Sequence, residues 1–311
     1  MTGATVPELS LVVVHWHAEE DLGRLLAAVP DDPRFEVVVV DNGGTAALPP
    51  LGRARLACPG RNLGFAGGAN LGATIAAAPL LVVVNPDARP RPEALPALLA
   101  GFAALPDAAG LAPRLVGEDG RAQTAWQLRA LPRPSELLLH ALFRDPARSA
   151  PAEPAAGSPV AQPAAAALAL RRSAWERLGG FDARFHPAWF EDVDFARRLA
   201  SHGGVLRYWP SAEFVHGLGG SVGPLGYRRF LWSYYRNLCF YLEKHHGRGW
   251  SVAARTLLVG GTLARTAALP VRRPRRATSR ASAAGALAAT ALGALSGWRR
   301  PRALAALAEV S

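Results

Sequence analysis

Cysteine is nearly absent: Cys58 and Cys239 are the only two in 311 residues. Two thiols 181 positions apart in sequence build no disulfide framework, and such scarcity fits a reducing compartment. Lysine occurs once, at Lys244, and methionine once, so arginine carries nearly all the positive charge. The bias toward Arg, Ala and Pro matches what a GC-rich genome produces. Long apolar runs are also missing. The uncharged C-terminal stretch 281–298 is Ala- and Gly-rich and short of the roughly 20 residues that a spanning helix needs. Leu9–Val14 is too short for a signal-peptide core and no basic residue precedes it, so no secretory signal is expected. No internal repeat is visible.

Half of the residues are hydrophobic, enough for one large α/β domain with an appendage, or for two domains. The net charge of +11 is unevenly spread. Residues 1–222 hold 20 Arg against 22 Asp and Glu, whereas residues 223–311 hold 15 Arg and Lys against two Glu. The C-terminal segment therefore points to an anionic partner, nucleic acid or a membrane surface. Its arginines flank apolar helices instead of alternating with stacking aromatics, which favours the membrane and argues against nucleic acid.

The N-terminal part alternates strands and helices. Strands are expected at Leu9–His15, Glu36–Val40, Arg53–Cys58 and Leu80–Val84, and helices at Asp21–Val29, Ala66–Ala78 and Glu93–Ala104. This order implies a mainly parallel sheet covered on both faces. Pro146–Pro163 reads as a mobile loop. A strand at Ala164–Arg171, a helix at Asp192–Ser201 with Asp194 and Arg198 spaced i,i+4, and strands at Val205–Trp209 and Ala212–His216 follow. Beyond Gly223, Tyr227–His245 reads as an aromatic, basic helix, and Ser251–Ala268 and Ala281–Trp298 as Ala-rich helices. The last lies between Arg272, Arg273, Arg275 and Arg276 on one side and Arg299 and Arg300 on the other. It is expected to lie on or dip into a membrane, or else to pack as a soluble helical hairpin.

Four stretches carry chemistry. Asp41 ends a buried strand and precedes Asn42, Gly43 and Gly44; it can cap a turn or bind a nucleobase or ribose edge. In "RNLGFAGGANLG", Gly64, Gly67 and Gly68 let backbone approach a ligand or a packed neighbour, and Arg61 can face a diphosphate at a helix N-terminus. The spacing matches neither G-x-G-x-x-G nor the Walker pattern, which leaves a dinucleotide fold and a P-loop ATPase unsupported. In "LLVVVNPDARP", Pro86 ends the strand and presents Asp87 at the carboxyl edge of the sheet, as a turn cap or as a ligand for Mg²⁺ or Mn²⁺ on a diphosphate. In "GGFDARFHPAWFEDVDF", Glu191, Asp192 and Asp194 begin a helix among Trp189, Phe190 and Phe195. Apolar neighbours raise a carboxylate's pKa toward that of a working base. His216, in "EFVHGLGGS", can add a neutral imidazole to a metal site. His15 and His17 can line a nucleotide pocket.

Together these stretches resemble the family 2 glycosyltransferases. "LVVVHWHAEEDLGRLLAAV", "VVVVDNGG", "NLGFAGGANLG", "LLVVVNPDA", "LRRSAWERLGGFD", "FEDVDFARRLASHGG" and "VHGLGGS" occur in the family's order over roughly residues 8–222. The "NPD" and "FEDVDF" forms look most like the rhamnosyltransferase and galactofuranosyltransferase branch. The resemblance implies a GT-A fold in residues 1–222, followed by a helical, membrane-associating segment in residues 223–311. It implies that a nucleotide-diphospho-sugar donor meets Asp41, Asn42, Arg61, Asn62, Gly64, Gly67, Asn70, Asn85 and Asp87. A divalent cation (Mg²⁺ or Mn²⁺) would be held by Asp87 and His216, with Asp192 as catalytic base and Glu191 and Asp194 supporting it or contacting the acceptor.

Three positions depart from the family pattern. Asn85 replaces the first acid of a full D-x-D, Thr45, Ala46 and Ala47 replace the usual Ser and second Asp after "DNGG", and the first strand ends in His-Trp-His. The expected activity is inverting transfer of a sugar, by branch resemblance rhamnose from dTDP-rhamnose, to a lipid-linked or polysaccharide acceptor in cell-envelope glycan synthesis. The enzyme would sit in the cytoplasm, peripheral to the inner face of the membrane. The alternatives are a catalytically degenerate nucleotide-sugar-binding protein and a galactofuranosyl or other hexosyl transferase.

Overall fold

Along the strand "LSLVVVH" every residue is buried, as a strand covered by helices on both faces requires. The computed structural model describes residues 6–43, 48–144, 152–217, 225–271, 274 and 276–298. The chain runs β1 (Leu9–His15), α1 (Glu19–Ala28), β2 (Phe35–Asp41), β3 (Arg55–Ala57), α2 (Gly64–Ile75), β4 (Leu80–Val84), β5 (Ala88–Pro90), α3 (Ala94–Ala104) and β6 (Ala108–Val116). It continues with α4 (Thr124–Gln127), β7 (Leu128–Arg129), α5 (Pro134–Ala141), β8 (Pro159–Val160), β9 (Gln162–Pro163), β10 (Ala167–Arg171), α6 (Arg172–Arg177), α7 (Glu191–Ser201) and β11 (Val205–His216). Three long helices follow: α8 (Gly226–His246), α9 (Arg248–Ala268) and α10 (Arg280–Ser296).

Packing divides the chain into two units. The first comprises Met1–Leu131, Ser149–Arg184 and Glu191–Ser221; the second comprises Pro132–Arg148, Phe185–Phe190 and Val222–Ser311. Segments 132–148 and 185–190, which composition alone groups with the N-terminal domain, thus pack with the C-terminal helices.

In the first unit the sheet order is β3-β2-β1-β4-β10-β6-β11-β5, with β8 added against β11. β1 runs parallel to β2 and β4. β10 then enters antiparallel to both β4 and β6, so the sheet is mixed where the strand–helix alternation implied a mainly parallel one. Alternate residues feed two cores. Leu11, Val13, Val82 and Val84 face Leu22, Leu25, Leu95 and Leu98. Val12, Val14, Leu81 and Val83 face Ala66, Ala69, Trp175 and Phe195.

Two consecutive arginines, the last residue of β10 and the first of α6, extend this alternation. Arg171 donates to the carbonyls of Phe102, Leu105 and Ala108, closing the C-terminus of α3. Arg172 donates to Ala73, Ala76 and Ala78, closing the C-terminus of α2. Neighbouring strand positions point to opposite faces, and the last carbonyls of a helix need outside donors. The Arg-Arg pair therefore ties a helix to each face of the sheet.

The expected strands at Val205–Trp209 and Ala212–His216 are one strand, β11, with a pairing irregularity between Trp209 and Glu213. Within Pro146–Pro163, residues 146–151 lie outside the described residues; the remainder includes β8 and β9, which pair with β11 and β7.

In the second unit, Asn237 of α8 is fully buried. Its Nδ2 donates to the carbonyls of Ala188 and Trp189 at 2.8 and 3.2 Å. Trp189 packs on Phe230, and Phe190 on Tyr234 and Tyr241. This grip holds Trp189 and Phe190 at φ of 75° and 73°, a region that side chains other than glycine rarely adopt. No helix among the described residues is long and apolar enough to cross a membrane. Arg272, Arg273, Arg275, Arg299 and Arg300, read as membrane anchors, lie outside the described residues.

Candidate active site

β1 and β2 are in register with His15 opposite Asp41. His15 Nε2 accepts the Ala18 N–H at 3.2 Å, so its Nδ1 carries the proton and donates to Asp41 Oδ1 at 3.1 Å. The same oxygen accepts the Gly43 N–H at 2.9 Å. Asp41 thus stands at the carboxyl edge with its loop already bound to it. Asn42 reaches across to the glycine turn: its Nδ2 donates to Gly64 O at 3.0 Å and its Oδ1 accepts Leu63 N–H at 3.2 Å. Thr45, Ala46 and Ala47 lie outside the described residues.

The glycine turn shows why glycine is needed there. Gly64 has φ of +71° and its N–H is held by Asn62 Oδ1 at 2.7 Å. A Cβ on Gly68 would lie 2.7 Å from Val14 Cγ1, and one on Gly67 3.0 Å from Leu63 Cβ. Close packing of α2 on β1 accounts for Gly68. Asn70 exchanges two hydrogen bonds with the backbone of Phe181, at 2.8 and 2.9 Å. Asn42 and Asn70 therefore spend their amides, and Asn62 its Oδ1, on the backbone at the carboxyl edge of the sheet. Arg61 is exposed beside them.

Asn85–Ala88 is a turn closed by the Ala88 N–H on Asn85 O at 3.0 Å, with proline at its second position, where the fixed φ suits a turn. The chain then returns as β5, a strand the sequence reading did not anticipate. β5 pairs antiparallel with the end of β11, placing Ala88 opposite His216. That pairing brings together two side chains 129 positions apart: His216 Nε2 lies 3.6 Å from Asp87 Oδ1, and both residues are buried. Burial lowers the His216 pKa to about 4, so the imidazole is neutral. Its Nδ1 bonds Gln123 Oε1 at 2.9 Å. Among the described residues no group of three His, Cys, Asp or Glu is gathered to hold a metal ion.

The three acids of α7 differ in environment. Asp194 is fully buried and its Oδ2 accepts Arg198 Nε at 2.7 Å. Arg198 also donates to Leu178 and Gly180 carbonyls, so the i,i+4 pair pins the helix to the Gly179–Gly180 turn. The buried Asp194 carboxylate presents no surface to solvent. Glu191 is buried, and its Oε2 has no hydrogen-bond partner among the described residues. Burial first, then the charges of Asp192 and Asp194, push its pKa well above the usual carboxylate range. Asp192 alone of the three is not fully buried. Its Oδ2 receives Gln162 Nε2 at 3.3 Å and Ala165 N–H at 3.4 Å, with Arg129 Nη2 at 3.9 Å. Its Oδ1 accepts the Val193 N–H at 2.7 Å. Gln162, Arg129 and Gln123 escaped the sequence reading; the first two lie on two-residue strands and the third just before a four-residue helix, elements too short for detectable periodicity.

Solved structures share this architecture. The mannosyltransferase PcManGT of Pyrobaculum calidifontis, determined with GDP-Man and Mn²⁺, matches with a TM-score of 0.54 at 18% identity, over 95% of this chain and 89% of that one. S. aureus TarS 1–349 in complex with UDP-GlcNAc matches with 0.51 at 14% identity, over 96% and 83%. The fold is thus that of the GT-A glycosyltransferases. The chain is also 31% identical over 288 residues to N-acetylglucosaminyl-diphospho-decaprenol L-rhamnosyltransferase of Mycobacterium tuberculosis (strain H37Rv), covering 83% of this chain and 91% of the relative. The profile described as Glycosyl transferase family 2 matches residues 10–152. The protein belongs to glycosyl transferase family 2 and is a glycosyltransferase.

Proposed function

We propose that the protein transfers L-rhamnose from dTDP-rhamnose, with inversion, to a diphospho-polyprenol-linked glycan at the cytoplasmic face of the cell membrane. The 31% likeness to a rhamnosyltransferase whose acceptor is a diphospho-decaprenol-linked sugar supports both the sugar and the acceptor class. The observation that carries the catalytic assignment is the contrast within α7. Asp192 keeps a partly exposed carboxylate held by Gln162, while Glu191 and Asp194 are buried.

Asp192 takes the proton from the acceptor hydroxyl. That oxygen attacks the anomeric carbon from the face opposite the nucleoside diphosphate, which departs as the new bond forms. Positioning and general-base catalysis share the work, the base supplying about 10² to 10⁴-fold. A carboxylate and a neutral imidazole suit a divalent cation, and Asp87 and His216 would hold it. A cation bound there would supply positive charge to offset that on the leaving diphosphate. Asp41 meets the base or ribose, and the N-terminus of α2 with Arg61 faces the diphosphate.

Calorimetric titration of a nucleotide-sugar panel, with and without Mn²⁺, tests this reading. Metal-dependent binding of dTDP-rhamnose that is lost in Asp87→Ala is the expected result; preference for another donor overturns the sugar. The +13 segment from residue 223 onward supports contact with an anionic surface. Flotation with anionic liposomes checks it, and a protein that stays unbound refutes that part.

A further inference from the structure

Gln123 is not one of the family-pattern residues, yet both ends of its amide are spent on one histidine. Oε1 meets His216 Nδ1 at 2.9 Å, and Nε2 donates to the His216 carbonyl at 2.9 Å. Since an amide oxygen only accepts, Nδ1 must carry the proton. The neutral ring then has its lone pair on Nε2, the atom 3.6 Å from Asp87 Oδ1. A second neighbour fixes the ring plane: Trp126 stacks on His216 with centroids 4.8 Å apart and planes 30° apart. Gln123 is itself anchored, its N–H donating to Leu115 O at 2.8 Å and its carbonyl accepting from Trp126 and Gln127.

We infer that Gln123 is a positioning residue which sets the tautomer and direction of His216, so that Nε2 faces a divalent cation shared with Asp87, while Trp126 holds the ring plane. This rests on the proposed cation site. Partners on the distal nitrogen of a metal-binding histidine orient the ring and raise its affinity, and their loss costs 10- to 100-fold in metal binding. In this chain, where Asn85 replaces an acid, the proposed site draws on two side chains, Asp87 and His216, so the direction of the imidazole matters more.

The substitutions that separate this role from mere packing are Gln123→Leu and Gln123→Glu. Leucine fills similar volume and cannot accept from Nδ1. Glutamate still accepts from Nδ1 but can no longer donate to the His216 carbonyl. Mn²⁺ binding is read from the free-ion electron paramagnetic resonance signal in the presence of dTDP, without turnover. Gln123→Leu should weaken Mn²⁺ binding by roughly 10- to 100-fold, and Gln123→Glu should stay within about threefold of wild type. Long-range ¹H–¹⁵N spectra of histidine-labelled wild-type protein, metal-free, should show His216 with its proton on Nδ1, assigned by His216→Gln; this holds even where the leucine variant fails to fold. An Nε2-protonated His216, an unchanged Gln123→Leu, or a Gln123→Glu as weak as leucine overturns the inference alone. A wild-type protein that binds no Mn²⁺ with dTDP overturns the cation site itself, and the inference with it.

Discussion

His15 and Asp41 end adjacent parallel strands and share a proton-bearing contact, Nδ1–H to Oδ1 at 3.1 Å, with the Gly43 N–H on the same oxygen. One carboxylate thus closes the loop that follows β2 and stands at the edge where ligands bind in open α/β sheets. Asp41→Ala leaves a buried donor on His15 and a half-buried one on Gly43 unmet and should cost about 1–3 kcal/mol in stability, read by denaturant unfolding. Asp41→Asn keeps an acceptor for His15 and Gly43. It should unfold nearly as wild type while KM for the nucleotide sugar rises; unchanged KM would remove Asp41 from the nucleotide site.

Asp192→Asn should lower kcat by about 10² to 10⁴-fold with donor affinity intact. The asparagine still meets Gln162 and Ala165 but takes no proton. Normal turnover in this variant would end the assignment of Asp192 as base.

Glu191 gives a pH dependence of defined sign. Its folded-state pKa is raised, so between the ordinary carboxylate value and the folded value the native state binds more protons than the unfolded chain. Stability is then full at low pH and declines as pH rises through that interval. Glu191→Gln, which keeps shape and removes the ionisation, should flatten the decline. Thermal melts of both proteins from pH 4 to 8 check it; parallel profiles would show that Glu191 ionises as freely as an exposed acid.

Gly68→Ala would place a methyl 2.7 Å from Val14 Cγ1 and 3.2 Å from Asn42 Nδ2. Overpacking of this kind costs about 1–3 kcal/mol. The loss should appear as a lower unfolding midpoint, and an undisturbed midpoint would mean that α2 slides freely on β1.

Arg172→Ala removes the donor to three carbonyls at the end of α2. A loss of about 2–4 kcal/mol is expected from charged hydrogen bonds worth ~1.5–3 kcal/mol each and not fully additive. Arg172→Lys, with one compact head in place of a fork, should recover only part of it.

By itself, the sequence determined most of the β-α layering, because periodicity and apolar runs are local. β1, β2 and β4 fall within two residues of where alternation places them, and the Asp194–Arg198 spacing already encodes the pair seen at 2.7 Å. The acids at strand ends were legible for the same reason: Pro86 and the glycines mark where each strand must stop. Only the tertiary structure decided which acid stays partly exposed. Glu191, Asp192 and Asp194 are alike as letters and differ through what packs over them. It also decided that β10 runs antiparallel between β4 and β6, since strand direction depends on partners distant in sequence. The meeting of Asp87 with His216, and of His216 with Gln123, follows from β5 pairing with β11, a long-range choice that no window of neighbouring residues contains.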